Sequence, residues 1–498
     1  MATLRSPHSF PWFRWLLGLV FCVALALRLW RIGQINTLVF DEIYYAVFAN
    51  RYLLGEFVYN SHPPLSQYLI AIGIWLGSHL PIDSALVNGL TGSLRPTFSY
   101  RWFNAIAGAW IPVIVGLMGF HWGQSRVFGA IAALVALLDG FFLVESRYGL
   151  NNIYLVLFGL LGHLCVLLAL SHPSPPQRIR RQVRWRRRYL ERPDRWLRQL
   201  SDIVSNRLRY PPRWQRWQLL TLAGICLGAS VSVKWNGLGF SLALCGLWLG
   251  LQWQPPRDSR SPWFALARLP AIAILGYFVL LPLLIYCLLW IPHLFLNPEF
   301  NFWQLHRAML TFHDAVGSGT DVHPYCSPWY SWPLMGRPVA YFYSTALNLR
   351  SLAPAVPPLP QGWAEVIYAV HAMGNPLLWW LSTGAIALML GSRLLLPTAP
   401  DANIWLYCLW GYGANLVPWA LVSRCTFLYH YMSALIFAQL ALAYWLWQVW
   451  EQKGVYRAIA VLMLGLGGLA FWFWLPIYLG LPLSPAGYQL RMWFDYWI

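Results

Sequence analysis

Acidic residues are scarce in this chain: seventeen Asp and Glu stand against thirty-five Lys and Arg in 498 residues, and charged side chains of both signs make up only 10%. A soluble domain carries about a quarter of its residues charged, so a deficit of this size excludes a surface that faces water throughout. Paired cysteines at redox or zinc spacing are also missing. There is no C-x-x-C, and six of the eight Cys (Cys22, Cys165, Cys226, Cys245, Cys287 and Cys408) lie in apolar runs, where Cys behaves as a small hydrophobe. Only Cys326 and Cys425 fall in segments of mixed polarity, and whether they pair is left open by the sequence. No glycine-rich nucleotide-phosphate loop is present, nor a metal motif. The first apolar run lacks a small-residue cleavage site, so it is expected to be retained as a helix.

What is abundant is apolar sequence. Hydrophobic residues make up 58% of the chain, with 32 Trp and 26 Tyr. Runs of about 20 apolar residues recur from end to end, each long enough to cross about 30 Å of hydrocarbon, and aromatic rings favour the membrane interfaces. The net charge of +18 is concentrated: residues 172–217 hold fourteen Arg, opposed only by Glu191, Asp194 and Asp202. A cytoplasmic loop under the positive-inside rule accounts for this cluster, and its interleaved Trp185, Leu190, Trp196, Leu197 and Leu200 suit helices lying on an anionic leaflet. Nucleic acid is not an expected partner; membrane lipids are.

The Arg cluster also sets the topology. The first span is expected at about 12–30, preceded by Arg5 and containing Arg14, which places the N-terminus in the cytoplasm. The stretch 65–80 is short for a span and contains Gln67, Ser78 and His79. If it crossed, fourteen Arg would land outside, so it is read as a juxtamembrane or re-entrant helix. Further spans are expected at about 102–121, 127–145, 152–171, 217–233, 236–252, 269–291, 376–393, 404–422, 430–448 and 457–478. The result is an all-α polytopic bundle of eleven transmembrane helices forming one domain over 1–498. Its parts are a first extracytoplasmic loop at 31–100 with juxtamembrane helices, the Arg-rich cytoplasmic loop at 172–217, and an extracytoplasmic loop at 293–375 that is too long for a simple turn.

In this topology the unusual polar residues gather at the outer side: Asp41, Glu42, His62, Arg101, Asn104, Glu145, Arg147, Asn151, Asn152, Lys234, His306, His313, Arg337, Arg424 and His430. Charges near hydrocarbon are costly and mark functional candidates. Asp41–Glu42 could cap the following amphipathic stretch or supply a general base at the membrane surface. The two prolines of His62-Pro63-Pro64-Leu65 suit a helix start, and His62 is either an interface anchor or part of a site. Arg101, Arg147 and Arg424 each sit at a span end, where a single Arg would snorkel. Together with Lys234, which is flanked on both sides by apolar sequence, they could instead bind phosphate. An outer carboxylate beside a cation cluster, with no nucleotide loop, suits sugar transfer from a lipid phosphate. The hydroxyl acceptor needs a base, and the departing phosphate needs cations.

Several stretches, taken in order, resemble the protein O-mannosyltransferases, glycosyltransferases of the GT-C architecture (family 39). They are Phe40-Asp41-Glu42 with Tyr45, His62-Pro63-Pro64-Leu65, Leu138-Asp139 with Ser146-Arg147-Tyr148, Ser232-Val233-Lys234-Trp235-Asn236-Gly237, Ser331-Trp332-Pro333 with Arg337-Pro338, and Phe427-Leu428-Tyr429-His430-Tyr431. The resemblance covers about 28–445. It implies eleven spans, a polyprenyl-phosphate-linked mannose donor, a Ser or Thr hydroxyl acceptor on a secreted or membrane protein, and inverting transfer with no required metal or cofactor. Carried onto this chain, it makes Asp41 the base and Glu42 its acidic neighbour. Arg101 falls on the donor phosphate, with Arg147, Lys234 and Arg424 assisting, and Tyr45, His62, Trp332, Arg337, Tyr429 and His430 contact substrate. Two departures stand out. Asn152 occupies a position that is often acidic in the family, and about 80 residues at 293–375 leave no room for the β-trefoil domain of eukaryotic members. The second points to a bacterial-type member in a cell membrane.

Two other readings remain open at this level. A GT-C enzyme of the same build could pass a lipid-linked sugar to a lipid or cell-wall glycan. A transporter or lipid-sugar flippase would show internal repeats and charges near the bilayer midplane; no repeat is evident, and the charges sit at span ends.

Overall fold

A computed structural model describes residues 12–80, 87–90, 93–170, 213–253, 255–256, 262–345, 366–397 and 402–497. The Arg-rich segment 172–217 lies outside the described residues except for 213–217, as do the first eleven residues and 346–365 of the long loop.

The chain is a multi-pass helical bundle. Eight described helices are long and apolar enough to cross a membrane: Trp12–Leu29 (α1), Thr97–Gly123, Asn152–Leu170, Gln215–Val233, Ala271–Leu296, Pro376–Leu395, Leu428–Glu451 and Gly454–Leu479. The other three expected spans fall on shorter helices, Arg126–Leu137, Leu238–Trp253 and Ala402–Leu416. The first is cut short by Asp139. Its Oδ1 accepts the backbone N–H groups of Phe141 and Phe142 and so caps a new short helix, Gly140–Glu145, while Oδ2 accepts Gln439 Nε2–H at 2.9 Å. A side-chain carboxylate that competes for backbone N–H groups in this way ends one helix and starts the next.

The expected juxtamembrane helix at 65–80 forms over Leu65–Gly77. Thirteen residues rise only about 20 Å, short of the hydrocarbon thickness. It packs between Glu42–Leu54 (α2) and Thr97–Gly123. Asn152–Leu170, Thr97–Gly123 and Met432–Glu451 are mostly buried and form the centre, whereas α1, Ala271–Leu296 and Gly454–Leu479 present mostly exposed apolar faces. Close packing at the centre needs small residues because hydrocarbon supplies no hydrophobic drive between helices. A Cβ on Gly129 would lie 2.7 Å from the Gly116 carbonyl oxygen, so these two glycines let Arg126–Leu137 and Thr97–Gly123 touch backbone to backbone.

Two small antiparallel sheets lie in the connections. Val87–Leu90 pairs with Ser93–Pro96. In the second sheet Val339–Thr345 pairs with Ile367–Ala372, which also takes Pro482–Leu483 at its other edge. Cys326 and Cys425, left open by the sequence, are disulfide-bonded with Cα atoms 5.3 Å apart.

Candidate active site

Asp41 and Glu42 are neighbours in sequence with opposite environments. The chain enters α2 through Phe40, whose φ of +50° is left-handed. A bulky side chain rarely holds that conformation, and it concentrates at functional sites. The turn sends Glu42 into the protein, where it is fully buried. Its Oε1 accepts Arg101 Nε–H at 2.8 Å and Gly149 N–H at 2.7 Å, and its Oε2 accepts Arg101 Nη2–H at 2.7 Å and Val39 N–H at 2.8 Å. Asp41 points the other way. It occupies the N-cap position of α2 but makes no capping bond, so the capping reading of the acidic pair fails. Burial raises the Asp41 carboxyl from 3.8 to about 6, against the pull of Lys234.

Arg101 has no spare donors. Besides its bidentate pair with Glu42, Nη1 donates to the carbonyls of Ile32 and Ile35, and Nη2 to that of Thr37. All five guanidinium hydrogens are committed. The donor-phosphate role implied for Arg101 does not fit this geometry; Arg101 and Glu42 instead lock the 32–42 turn that presents Asp41. Arg147 is partly occupied: Nη1 donates to the carbonyls of Leu27, Arg28 and Trp30 at the end of α1, a C-terminal cap of the kind cations favour, while its buried Nε has no partner. Both were legible as unusual charges, but their partners are backbone carbonyls distant in sequence.

Lys234 and Arg424 do have open faces. Lys234 is buried at the break between Arg213–Val233 and Leu238–Trp253. It donates to Asn152 Oδ1 at 3.4 Å, lies 5.0 Å over the Tyr429 ring, and faces both Asp41 and Glu145. Lys234 and Asp41 make no ion pair within 4.0 Å, which leaves a gap between carboxylate and ammonium. Asn152, where an acidic residue was noted as absent, donates from Nδ2 to Glu145 Oε2 at 3.3 Å. Glu145 is fully buried and also accepts the Tyr341 hydroxyl. Tyr341 in turn stacks on Phe40 at 4.5 Å.

Beside this group lies a cavity of about 650 Å³ whose lining includes His62, Lys234, Asn236, His313 and Arg424. The same cavity is lined by Leu238, Leu242, Leu421 and Val422, all of them exposed. The rings of His62 and His313 stack at 5.4 Å. His313 Nε2 donates to the Ser61 carbonyl at 3.0 Å. Burial, with Arg424 and Lys234 nearby, lowers the His313 ring to about 4, and His62 is depressed for the same first reason. Both are neutral near pH 7. Among the described residues no group of three His, Cys, Asp or Glu converges as metal ligands would.

The remaining sequence candidates divide. Tyr45 is buried facing Asp41 and accepts Asn151 Nδ2–H at 2.8 Å. Tyr429 is within the site. His430 is buried behind it, its ring 4.3 Å from Trp419 of the cavity wall. Trp332 is fully buried, stacked on His430 and donating to Ser327 Oγ at 2.9 Å, so it supports the wall and does not face the cavity. Arg337 stands beside Tyr325, away from the cavity. Sequence reasoning placed Glu145 and His313 among the outer polar residues without giving them a role. Glu145 directly precedes the Ser-Arg pair, which was the available signal.

Residues 18–185 match the family described as dolichyl-phosphate-mannose-protein mannosyltransferase, and residues 299–497 match the C-terminal four-span region of protein O-mannosyltransferases. This chain belongs to the protein O-mannosyltransferase family. Polyprenol-phosphate-mannose–protein mannosyltransferases of Mycolicibacterium smegmatis and Corynebacterium glutamicum are 25% and 24% identical to it. The alignments cover 93% and 88% of this chain and 88% and 81% of theirs. In fold this O-mannosyltransferase-family chain is similar to the Saccharomyces cerevisiae Pmt1–Pmt2 complex bound to its sugar donor. The TM-score is 0.74 at 14% identity, over 99% of this chain and 93% of that one. Its fold is also similar to an Archaeoglobus fulgidus oligosaccharyltransferase, with a TM-score of 0.50 at 15% identity over 97% of this chain and 58% of that one. The architecture is GT-C.

Proposed function

We propose that this enzyme transfers mannose from a polyprenyl-phosphate carrier to Ser or Thr hydroxyls of secreted or membrane proteins, with inversion, at the extracytoplasmic face of a bacterial cell membrane. One observation carries the reading: a cavity lined both by the cations Lys234 and Arg424 and by exposed leucines lies beside Asp41, a carboxyl raised by burial. The prenyl chain lies along Leu238, Leu242 and Leu421, and the phosphate meets Lys234 and Arg424. The acceptor hydroxyl approaches C1 of the sugar from the side of Asp41, which takes its proton while the C1–O bond to phosphate breaks. Lys234 and Arg424 neutralise the departing phosphate, the point at which fixed charge is most effective. Glu145, through Asn152 and its attraction to Lys234, keeps that ammonium aimed at the gap. The Cys326–Cys425 disulfide supports the extracytoplasmic assignment of this end, because such bonds persist in oxidising compartments.

The test is transfer from radiolabelled polyprenyl-phosphate mannose to a Ser/Thr-rich secreted peptide in membranes carrying the chain. Label in peptide, lost with Asp41→Asn, is the expected result. Label only in a lipid or glycan fraction would overturn the protein acceptor and favour the glycan-directed reading.

A further inference from the structure

Two parts of the donor cavity's lining come from distant parts of the chain. One is the end of the amphipathic helix Phe302–Ala315, which contributes His313 and Asp314; the other is the irregular stretch Val422–Phe427, which contributes Ser423 and Arg424. Irregular backbone has no helical ladder to fix it, so its position depends on other bonds. Here the bonds at Cys425 and Thr426 run to the 317–327 segment. Cys425 N–H donates to the Gly317 carbonyl at 2.7 Å, and Ser327 N–H donates to the Thr426 carbonyl at 2.8 Å. Thr426 Oγ1 donates to the Ser327 carbonyl at 2.8 Å, and Cys425 is covalently joined to Cys326. Gly317 lies three residues beyond Asp314. The disulfide, which closes a sequence separation of 99, therefore joins the 422–427 stretch to the loop that follows the His313 helix, and the Cys425–Gly317 bond ties it to the helix end. Arg424 is the residue next to the staple, and its Nη1 donates back to the Cys425 carbonyl at 3.1 Å.

We propose that the Cys326–Cys425 disulfide is a positioning element for the donor site, holding Arg424 against the His313 wall so that its guanidinium meets the lipid phosphate. The inference rests on the reading of the cavity as the donor site. Reduction takes up two electrons and two protons and yields two thiols; the wall at 422–427 then keeps only its hydrogen bonds, and Arg424 loses its fixed aim. An oxidising disulfide-exchange system in the same compartment is the class of reaction that must supply the active form.

The experiment compares full-length parent, the double variant Cys326→Ser/Cys425→Ser, Arg424→Gln, and all three changes together, in detergent and in proteoliposomes. The first readout is thermal stabilisation by unlabelled polyprenyl phosphate, which needs neither sugar nor acceptor and so survives an error in either assignment. The second is the split between donor KM and kcat. Loss of one charge-assisted contact is expected to raise the donor KM about tenfold, with kcat little changed. Arg424→Gln should add almost nothing in the double-serine background, since coupled groups are non-additive. Unchanged polyprenyl phosphate binding in the double-serine variant, or fully additive effects with Arg424→Gln, overturns the proposal. If the serine variant fails to fold, parent protein treated with dithiothreitol, which becomes the cyclic disulfide as it reduces the bond, and then reoxidised gives the same comparison. Alkylation of Cys326 and Cys425 in untreated protein would overturn it directly.

Discussion

Asp41→Asn removes one charge and almost no volume, so its effects on stability and on chemistry separate. Keeping a carboxyl ionised at neutral pH when burial has raised it from 3.8 to about 6 costs about 3 kcal/mol relative to water. The folded-state value lies above the unfolded one, so this penalty is fully present above about pH 6 and vanishes as pH falls below about 4. Asp41→Asn is therefore expected to be more stable than the parent at pH 7.5, by up to about 3 kcal/mol less whatever the amide leaves unpaired. The advantage should shrink to nothing by pH 4. The same substitution should lower kcat by about 10²–10⁴-fold, the usual contribution of a general base. The assay is thermal unfolding of purified protein across pH 4–8, beside transfer rates at saturating donor. A variant that is less stable than the parent at all pH values, or one that keeps full kcat, would refute the assignment of Asp41 as a buried, substrate-facing base.

Three further outcomes follow from neighbouring groups. Glu42→Gln leaves the Arg101 charge unpaired in a buried setting and should destabilise the protein by about 3–5 kcal/mol, seen as lost expression or a lowered Tm; the contrast with Asp41→Asn separates the two carboxylates. Parent kcat/KM should fall about tenfold per pH unit below about 6, as Asp41 takes up its proton, and a profile flat to pH 4 would count against it. Gly129→Ala forces a methyl against the Gly116 carbonyl and should destabilise by about 1–3 kcal/mol, read as a lower Tm with donor KM unchanged.

The multi-pass helical bundle and the short helix after His62-Pro63-Pro64 were legible because hydrophobic run length and proline placement are local signals. The division of labour within the site was not. Asp41 and Glu42 are equivalent on paper; only the left-handed turn at Phe40 decides which is buried with Arg101 and which faces the gap. Arg101, Arg147 and Lys234 are all cations at span ends, yet Arg101 and, through Nη1 alone, Arg147 bond carbonyls of the 27–37 segment and Lys234 does not. Such partners lie more than sixty residues away in sequence and leave no periodic trace. The same holds for the break at Asp139, whose bond to Gln439 spans 300 residues, and for the pairing of Cys326 with Cys425.

The exposed leucines of the cavity, Leu238, Leu242 and Leu421, change what concentration means for this enzyme if the carrier is bound along them as proposed. A substrate that enters sideways from the bilayer is counted per lipid molecule, not per litre. Diluting a fixed amount of carrier with inert phospholipid should slow the reaction even when the volume stays constant, and adding buffer alone should not. Supply is then governed by the mole fraction of loaded carrier in the bilayer.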